Sequence, residues 1–415
     1  MAEIVLAAIT GKDSPGITVA LTTVLSRYDI KILDIGQSVI HKSLLLGMLL
    51  EIPPRSAASP LFKELILKAH ELDLTVRFSP VSEKKYNDWA SSHGGGRHII
   101  TLLGREITAR HIERISRIVA DHDLNIEKIT RLSGRMPLKV AHPEHKRASI
   151  EFSLQGRVAD LRELHESFLK VSQELELDVS IQEDNVFRRN RRLICFDMDS
   201  TLIQTEVINE LARTVGMGER VGRITESAMN GEIDFKESFK QRMALLQGID
   251  VALLKKIART LPITEGVDRL IFNLKRLGFK IAILSGGFSY FANHLGEKYG
   301  IDYVYANTLD IQNGKLTGKI VGEVIDGERK ACLMTEIAKK EGLSLEQVVA
   351  VGDGANDLPM LGIAGMGVAF QAKPLVRRQA RHSIATLGLD GILYLLGMSD
   401  RDIKDPKHPK DPAKE

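Results

Sequence analysis

Two aspartates, Asp197 and Asp199, close a short apolar run, Leu193-Ile194-Cys195-Phe196. Such a run reads as a buried strand, and open α/β sheets place their ligands at the C-terminal ends of their strands. Like charges this close raise one another's pKa unless a cation intervenes. Mg²⁺ suits the position, since it takes carboxylate and carbonyl oxygens and leaves room for a phosphate. In that arrangement Asp197 is a nucleophile and Asp199 a proton donor. The competing reading is a helix cap built from the Asp, Ser and Thr of Asp197-Met198-Asp199-Ser200-Thr201, because these residue types satisfy the free N–H groups of a helix start. Taken alone, the ten residues to Glu206 do not choose between the two.

Three more pieces carry groups suited to a phosphate. Lys280-Ile281-Ala282-Ile283-Leu284 leads into Ser285-Gly286-Gly287-Phe288, where a hydroxyl and unhindered glycine N–H groups can approach anionic oxygens. Lys330 opens the amphipathic stretch to Glu341 and offers a point positive charge. Val349-Ala350-Val351 runs into Gly352-Asp353-Gly354-Ala355-Asn356-Asp357, again with carboxylates at the end of an apolar run. Each has a bland counterpart: a turn, a solvated lysine, an Asx turn. Their order along one inferred sheet is what lends them weight.

The elements that must position these groups follow from periodicity. From about Leu193, apolar strands alternate with amphipathic helices, which predicts a parallel sheet over residues 185–400. Between Glu206 and Pro262 only helical periodicity appears, which predicts a helical cap over about 207–262. Asn313-Gly314 marks a hairpin. The first 184 residues contain one unit twice, each βαββαβ, which predicts two ferredoxin-like sandwiches over 1–82 and 97–184. Each has a sheet face left to be covered, which invites pairing with a second copy. Residues 83–96, ending in Gly94-Gly95-Gly96, read as a flexible linker, and 401–415 as a disordered charged tail.

The stretch from Asp197 onward resembles the haloacid dehalogenase superfamily, through Asp-Met-Asp-Ser-Thr, Ser-Gly-Gly, the isolated Lys330 and Gly-Asp-Gly-Ala-Asn-Asp, in that order. Within it, residues Leu193 to Gly397 are similar to phosphoserine phosphatases, through Glu206, Ala228-Met229-Asn230-Gly231-Glu232-Ile233-Asp234-Phe235, and Arg242. The resemblance implies a Rossmann-like core with a helical cap. It also implies Mg²⁺-dependent hydrolysis of O-phospho-L-serine, the last step of serine biosynthesis, through an aspartyl phosphate at Asp197. Asp199 protonates the leaving hydroxyl and then activates water. The metal is held by Asp197, the Asp199 backbone carbonyl and Asp353, and Ser285, Gly286, Lys330 and Asn356 serve the phosphate. Glu206 meets the substrate ammonium and Arg242 its carboxylate, with Met229 and Phe235 as candidate pocket residues. A zwitterion needs one anchor of each sign, and Arg binds carboxylates bidentately. Alternatives kept open are a phosphatase or phosphotransferase acting on phosphothreonine or homoserine, and an inactive amino-acid sensor.

The repeated N-terminal units resemble ACT domains, best at Gly11-Lys12-Asp13-Ser14-Pro15-Gly16. That implies an effector site for L-serine at Asp13, Pro15 and Gly16, and a homodimer. The second copy has Gly104-Arg105-Glu106-Ile107-Thr108 and lacks the Pro-Gly step. Composition sets bounds on partners. A net charge of +3 and 5% aromatics argue against nucleic acid, and no apolar run approaches the ~20 residues of a membrane span. Two cysteines, Cys195 and Cys332, make no disulfide framework, and Met1-Ala2-Glu3 lacks the basic start of a secretion signal. A cytoplasmic enzyme is the expectation.

Overall fold

Alternation along Glu3–Lys12 buries Val5, Ala7 and Ile9 on one side and leaves Leu6 on the other, as the two-residue period of a strand requires. This strand, β1, belongs to the first of two units in the computed structural model, Met1–Gly95 and Gly96–Glu415. The structure describes residues 3–53, 58–91, 96–135, 137, 146–229 and 233–406. In unit 1, β1 is followed by α1 (Ile17–Ser26), β2 (Lys31–Ile40), β3 (Ser43–Ile52), α2 (Ala58–Glu71) and β4 (Leu74–Val81). The sheet is antiparallel, in the order β2-β3-β1-β4. Its core joins Val5, Ala7, Ile9, Leu46 and Met48 to Leu21, Leu25, Leu61 and Leu65 of the helices. The opposite face is open: Leu6 is 39% and Leu45 47% exposed. Residues 83–91, expected within the linker, form helix α3 (Glu83–Ser91). They contain no Gly or Pro, and Glu83 in the first turn suits the helix dipole; residues 92–95 lie outside the described part.

Unit 2 opens with the repeat: β5 (Arg97–Gly104), α4 (Ala109–Asp121), β6 (Asn125–Arg131), β7 (Ala148–Gln155), α5 (Leu161–Leu175) and β8 (Asp178–Glu183). The sheet order, β6-β7-β5-β8, repeats the first. The duplication extends to detail. Asp29 and Asp123 both leave their helices with positive φ, 57° and 55°. A register shift follows at the same place in each copy, Ile32/Asp34 and Ile126/Lys128.

Next comes β9 (Leu193–Phe196), then the helices α6 (Val207–Thr214), α7 (Gly218–Met229), α8 (Phe235–Ala244) and α9 (Val251–Thr260), which form the expected cap. The chain returns through α10 (Val267–Arg276), β10 (Lys280–Phe288), α11 (Ser289–Tyr299), β11 (Tyr303–Gln312) and β12 (Lys315–Val321). It ends with α12 (Gly327–Lys340), β13 (Val348–Gly352), α13 (Leu358–Ile363), β14 (Met366–Phe370), α14 (Pro374–Gln379), β15 (His382–Ile384) and α15 (Gly391–Leu395). The seven-stranded sheet runs β12-β11-β10-β9-β13-β14-β15. It is parallel except for β12, which pairs antiparallel with β11 through Asn313-Gly314 at φ 50° and 72°. Positive φ at both residues is what a type I′ hairpin demands. β9 lies centrally, with both faces covered and all four residues buried, hence its unbroken apolar sequence.

Two attachments matter for the site. The legs of the cap run side by side: Ile203 bridges Ile263, Gln204 N donates to Pro262 O at 2.9 Å, and Thr264 N to Leu202 O at 3.1 Å. The second sandwich also packs on the core. Ile99, Thr101 and Leu103, on the face that corresponds to the open one of unit 1, are 2%, 0% and 1% exposed. At its edge the Asp178 carboxylate accepts from Ala385 N and Thr386 N, and Ser180 Oγ meets His382 Nδ1 at 2.8 Å. The tail expected from residue 401 begins docked: Asn273 Nδ2 donates to Lys404 O at 2.7 Å, and Arg269 pairs with Asp405. Ile403, 8% exposed, anchors this segment, so its charges pair with the core instead of solvating a free chain; residues 407–415 lie outside the described part.

Candidate active site

The turn that follows β9 decides between helix cap and reactive pair. The Asp197 side chain makes no helix-capping hydrogen bond. Asp199 has ψ 135° and Ser200 a positive φ of 56°, so Met198–Leu202 is a wide non-helical turn. Left-handed backbone at a serine is unfavourable. It is held here by Ser200 N donating to Thr205 O at 3.2 Å and Ile203 N to Met198 O at 3.1 Å. The turn sends the two carboxylates to different partners. Asp197 Oδ1 accepts from Lys330 Nζ at 2.8 Å, whereas Asp199 Oδ1 accepts from Val207 N at 3.1 Å, at the start of the cap.

Lys330, fully buried on α12, bridges Asp197 and Asp357 at 2.8 and 2.7 Å. Burial alone would lower its pKa, but the two carboxylates outweigh that and hold the ammonium above the ordinary lysine range. Asp357 also accepts from Asp353 N and Gly354 N, at 3.1 and 2.9 Å, which folds the β13 turn back on itself. Thr201 Oγ1 donates to Asp353 Oδ1 at 3.2 Å.

Oxygens of Asp197, Asp353 and Asp357 lie within 4.8 Å of one another. Three carboxylates face one ammonium, so buried negative charge is in excess. Burial raises Asp197 to about 6, against the pull of Lys330. Burial and then the Asp197 charge raise Asp199 to about 8, and burial with Asp197 and Asp357 does the same for Asp353. An all-oxygen, anion-rich cluster of this kind fits a hard divalent cation. The Asp199 carboxylate is not in that cluster. Asp357 belongs to this cluster, whereas the set expected from sequence, Asp197, the Asp199 main-chain carbonyl and Asp353, leaves it out.

A cavity of about 1120 Å³ opens over Asp197, lined on the core side by Asp199, Gly286, Gly287, Asp353 and Asn356. Ser285 is fully buried and, like Lys330, sits behind the cavity wall; its Oγ accepts from Gly287 N at 2.9 Å. Asn307 of β11 holds this loop, donating to Gly286 O and accepting from Ile325 N, both at 2.8 Å. Glu206 and Arg242 line the cap side with Thr225, Ser238 and Phe239. Among the described residues no ion pair joins Glu206 to Arg242. Glu206 accepts from Asn209 Nδ2 at 3.1 Å, and Arg242 Nε reaches only Ser238 O, at 3.4 Å. Burial lowers the pKa of Arg242, opposed by the charges of Glu206 and Asp199. Two side chains of opposite charge thus line this cavity without a direct ion pair between them. The side chains of Met229 and Phe235 lie outside the described residues.

Pattern reading gave no separate role to Thr201, and did not single out Asn307 or the wall formed by Lys373, Pro374 and Leu375. The last was accessible by the rule that found the others, since Gln371-Ala372-Lys373-Pro374 follows the apolar strand β14. In unit 1, Asp13, Pro15 and Gly16 are exposed. Asp13 N donates to Lys42 O at 2.8 Å, and α1 starts from Gly16 at φ 93° with no side-chain cap.

Comparison with known proteins agrees with this geometry. Residues 194–362 match the haloacid dehalogenase-like hydrolase family, and residues 3–79 and 96–182 each match an ACT domain family. The chain is 36% identical to a phosphoserine phosphatase of Streptomyces coelicolor, over 96% of this chain and 93% of that protein. It is 36% identical to that of Mycobacterium tuberculosis, over 96% and 94%. Among solved structures, a probable phosphoserine phosphatase from Vibrio cholerae superposes with a TM-score of 0.57 at 33% identity, covering 74% of this chain and 87% of that one. With its acidic strand ends, its cap and its paired ACT folds, the chain belongs to the phosphoserine phosphatases, haloacid dehalogenase-like hydrolases that act on phosphate monoesters.

Proposed function

We propose that this enzyme hydrolyses O-phospho-L-serine to L-serine and phosphate through an aspartyl phosphate at Asp197, with Mg²⁺, and that L-serine acts back on it through the first ACT domain. The observation that carries the substrate is the pair Glu206 and Arg242, one anchor of each sign on the cavity's cap side. A phosphorylated amino acid presents an ammonium and a carboxylate at one end and a phosphate at the other, and this cavity offers the complement of all three.

Lys330 occupies one oxygen of Asp197 and leaves the other for in-line attack on phosphorus, a recognised role for carboxylates. The pKa of Asp199, raised by burial, suits a group that must hold a proton for the departing serine oxygen and then take one from water. The Gly286 N–H, on a loop held by Asn307 and by the bond from Gly287 N to Ser285 Oγ, would face the transferring oxygens. Mg²⁺ held by Asp197, the Asp199 carbonyl and Asp353, with Asp357 beside them, would neutralise charge between nucleophile and phosphate. Asn356 supports that wall. The cap, which carries Arg242, would exclude bulk water until the acyl phosphate forms.

For the effector, support comes from the exposed Asp13-to-Gly16 loop and the uncapped start of α1, where main-chain amides suit a carboxylate. The open apolar face around Leu6 and Leu45 supports pairing with a second copy.

The deciding experiment is phosphate release from a panel of phosphorylated amino acids with Mg²⁺, for wild type and Asp197→Asn. Preference for O-phosphoserine over O-phosphothreonine, and its loss in the variant, is expected. Equal rates in the two proteins would overturn the nucleophile. For regulation, Asp13→Ala should abolish the effect of added L-serine on the rate, and an unchanged effect would sink that assignment.

A further inference from the structure

The same loop is used differently in the two ACT folds. Between β1 and α1 it lies open and α1 carries no side-chain cap. Between β5 and α4 it is closed. Thr108 and His111 satisfy each other's main-chain amides in a capping box at the start of α4. Arg105 reaches out of the loop to the phosphatase core, donating from both terminal nitrogens to the two oxygens of Glu265, at 2.9 and 2.7 Å. Both side chains are about two-thirds shielded, at 33% and 35% exposure.

Glu265 is not an arbitrary surface acid, because it ends the returning leg of the cap. Its own carbonyl accepts from Leu389 N at 2.7 Å, and Thr264, one residue earlier, donates to Leu202 O at 3.1 Å. The leg bonded there, Leu202 to Gln204, lies between Asp199 and Glu206 in sequence. A two-pronged Arg–carboxylate bond fixes direction as well as distance. Side chain and main chain of Glu265 therefore pin one end of a short two-stranded hinge, and that hinge carries both amino-acid anchors.

We propose that Arg105 is a positioning residue: through Glu265 it sets the cap legs, and with them where Glu206 and Arg242 stand over Asp197. The loop that in a ligand-binding ACT fold would hold a free carboxylate holds here a carboxylate of the enzyme itself. The kinetic part of this inference rests on the phosphoserine reading, whereas the hinge itself does not.

The test compares Arg105→Gln, Glu265→Gln, their double variant and Arg105→Lys in the full chain. Ser180→Ala serves as the control, since it removes a different contact between the second ACT fold and the core. Arg105→Gln and Glu265→Gln should each raise the KM for O-phosphoserine about five-fold with kcat held within about two-fold. The double variant should add little to either single one, as coupled partners do. Arg105→Lys should recover part of the loss. Amide exchange in peptides spanning 200–206 and 261–266 should quicken about ten-fold in Arg105→Gln, and stay unchanged in Ser180→Ala. Unaltered exchange in those peptides would overturn the proposal, as would an equal change in Ser180→Ala. A fall in kcat at constant KM would also overturn it, because that is the signature of lost folded enzyme. If the wild type released no phosphate from O-phosphoserine, the proposed function would fail, and the exchange data would still decide the hinge.

Discussion

Lys330 holds one oxygen of Asp197 and one of Asp357 from a fully buried position, and that geometry separates two roles often given to such a lysine. It fixes the orientation of Asp197, the proposed nucleophile, directly, and it reaches the cavity only from behind Asp197. Removing it leaves buried carboxylates unpaired, so Lys330→Met should lose both activity and several degrees of Tm, read by a melt. Arg242 behaves differently, because among the described residues its hydrogen-bond partner is a carbonyl of its own helix. Arg242→Ala should raise the KM for O-phosphoserine by roughly ten-fold or more with a smaller change in kcat, and Arg242→Lys should not restore it, since an ammonium lacks the fork. At this scale the sequence was legible wherever a polar group ends an apolar strand: Asp197, Gly286 and Asp353. It was not legible for Asn307, which sits inside β11 with no local pattern, or for the buried placement of Ser285. Those roles come from contacts between strands that are adjacent only in the folded sheet.

Elements constrain the site through glycine. A Cβ at Gly287 would lie 2.5 Å from Asp199 Oδ2 and 2.9 Å from Met198 Cε, so the β10 turn can approach the β9 turn only without a side chain. Gly287→Ala should cut phosphate release by about a hundred-fold through displaced Asp199 while costing little stability, because the clash is with movable side-chain atoms. Gly367 is the contrasting case. Its Cβ would strike the main-chain carbonyl of Leu361 on α13, so Gly367→Ala should lower the Tm by several degrees, and activity only in proportion to folded protein. The elements themselves were visible as periodicity in β9, β10, β13 and β14, whose continuous apolar runs are dictated by burial on both faces. Helix α3 was hidden because it buries nothing, and an amphipathic pattern appears only where one face has something to pack against.

At the scale of the molecule, one sandwich stands in its own unit and the other is built into the enzyme. Their opening strands differ little in sequence, Ile4-Val5-Leu6-Ala7-Ala8-Ile9 against Ile99-Ile100-Thr101-Leu102-Leu103. The difference in burial follows from what lies across the sheet, which no local pattern encodes. That seam contains His382, whose pKa is pushed down to about 3 by burial, then by Arg191, His165 and Arg381. Its folded pKa is below its unfolded value of 6.5, so the stability it contributes is complete above pH 6.5. That contribution is lost progressively as pH falls from 6.5 toward 3, while the unfolded chain takes up the proton. The Tm of the wild type should therefore drop between pH 7 and 4.5, and His382→Gln should flatten that slope; parallel slopes would remove His382 as the cause.

The seam also has a consequence in time. Leu103 O, on the second sandwich's covered face, accepts from Thr386 Oγ1, 283 positions later in the chain. During synthesis at 5–20 residues per second, that face waits about a quarter of a minute to a minute for its cover. The first sandwich completes its own core from residues 5–74 and has nothing to wait for. The nascent chain therefore emerges with one finished domain followed by one half-finished sheet, and the cell must keep Ile99, Thr101 and Leu103 from other partners until the last strands arrive.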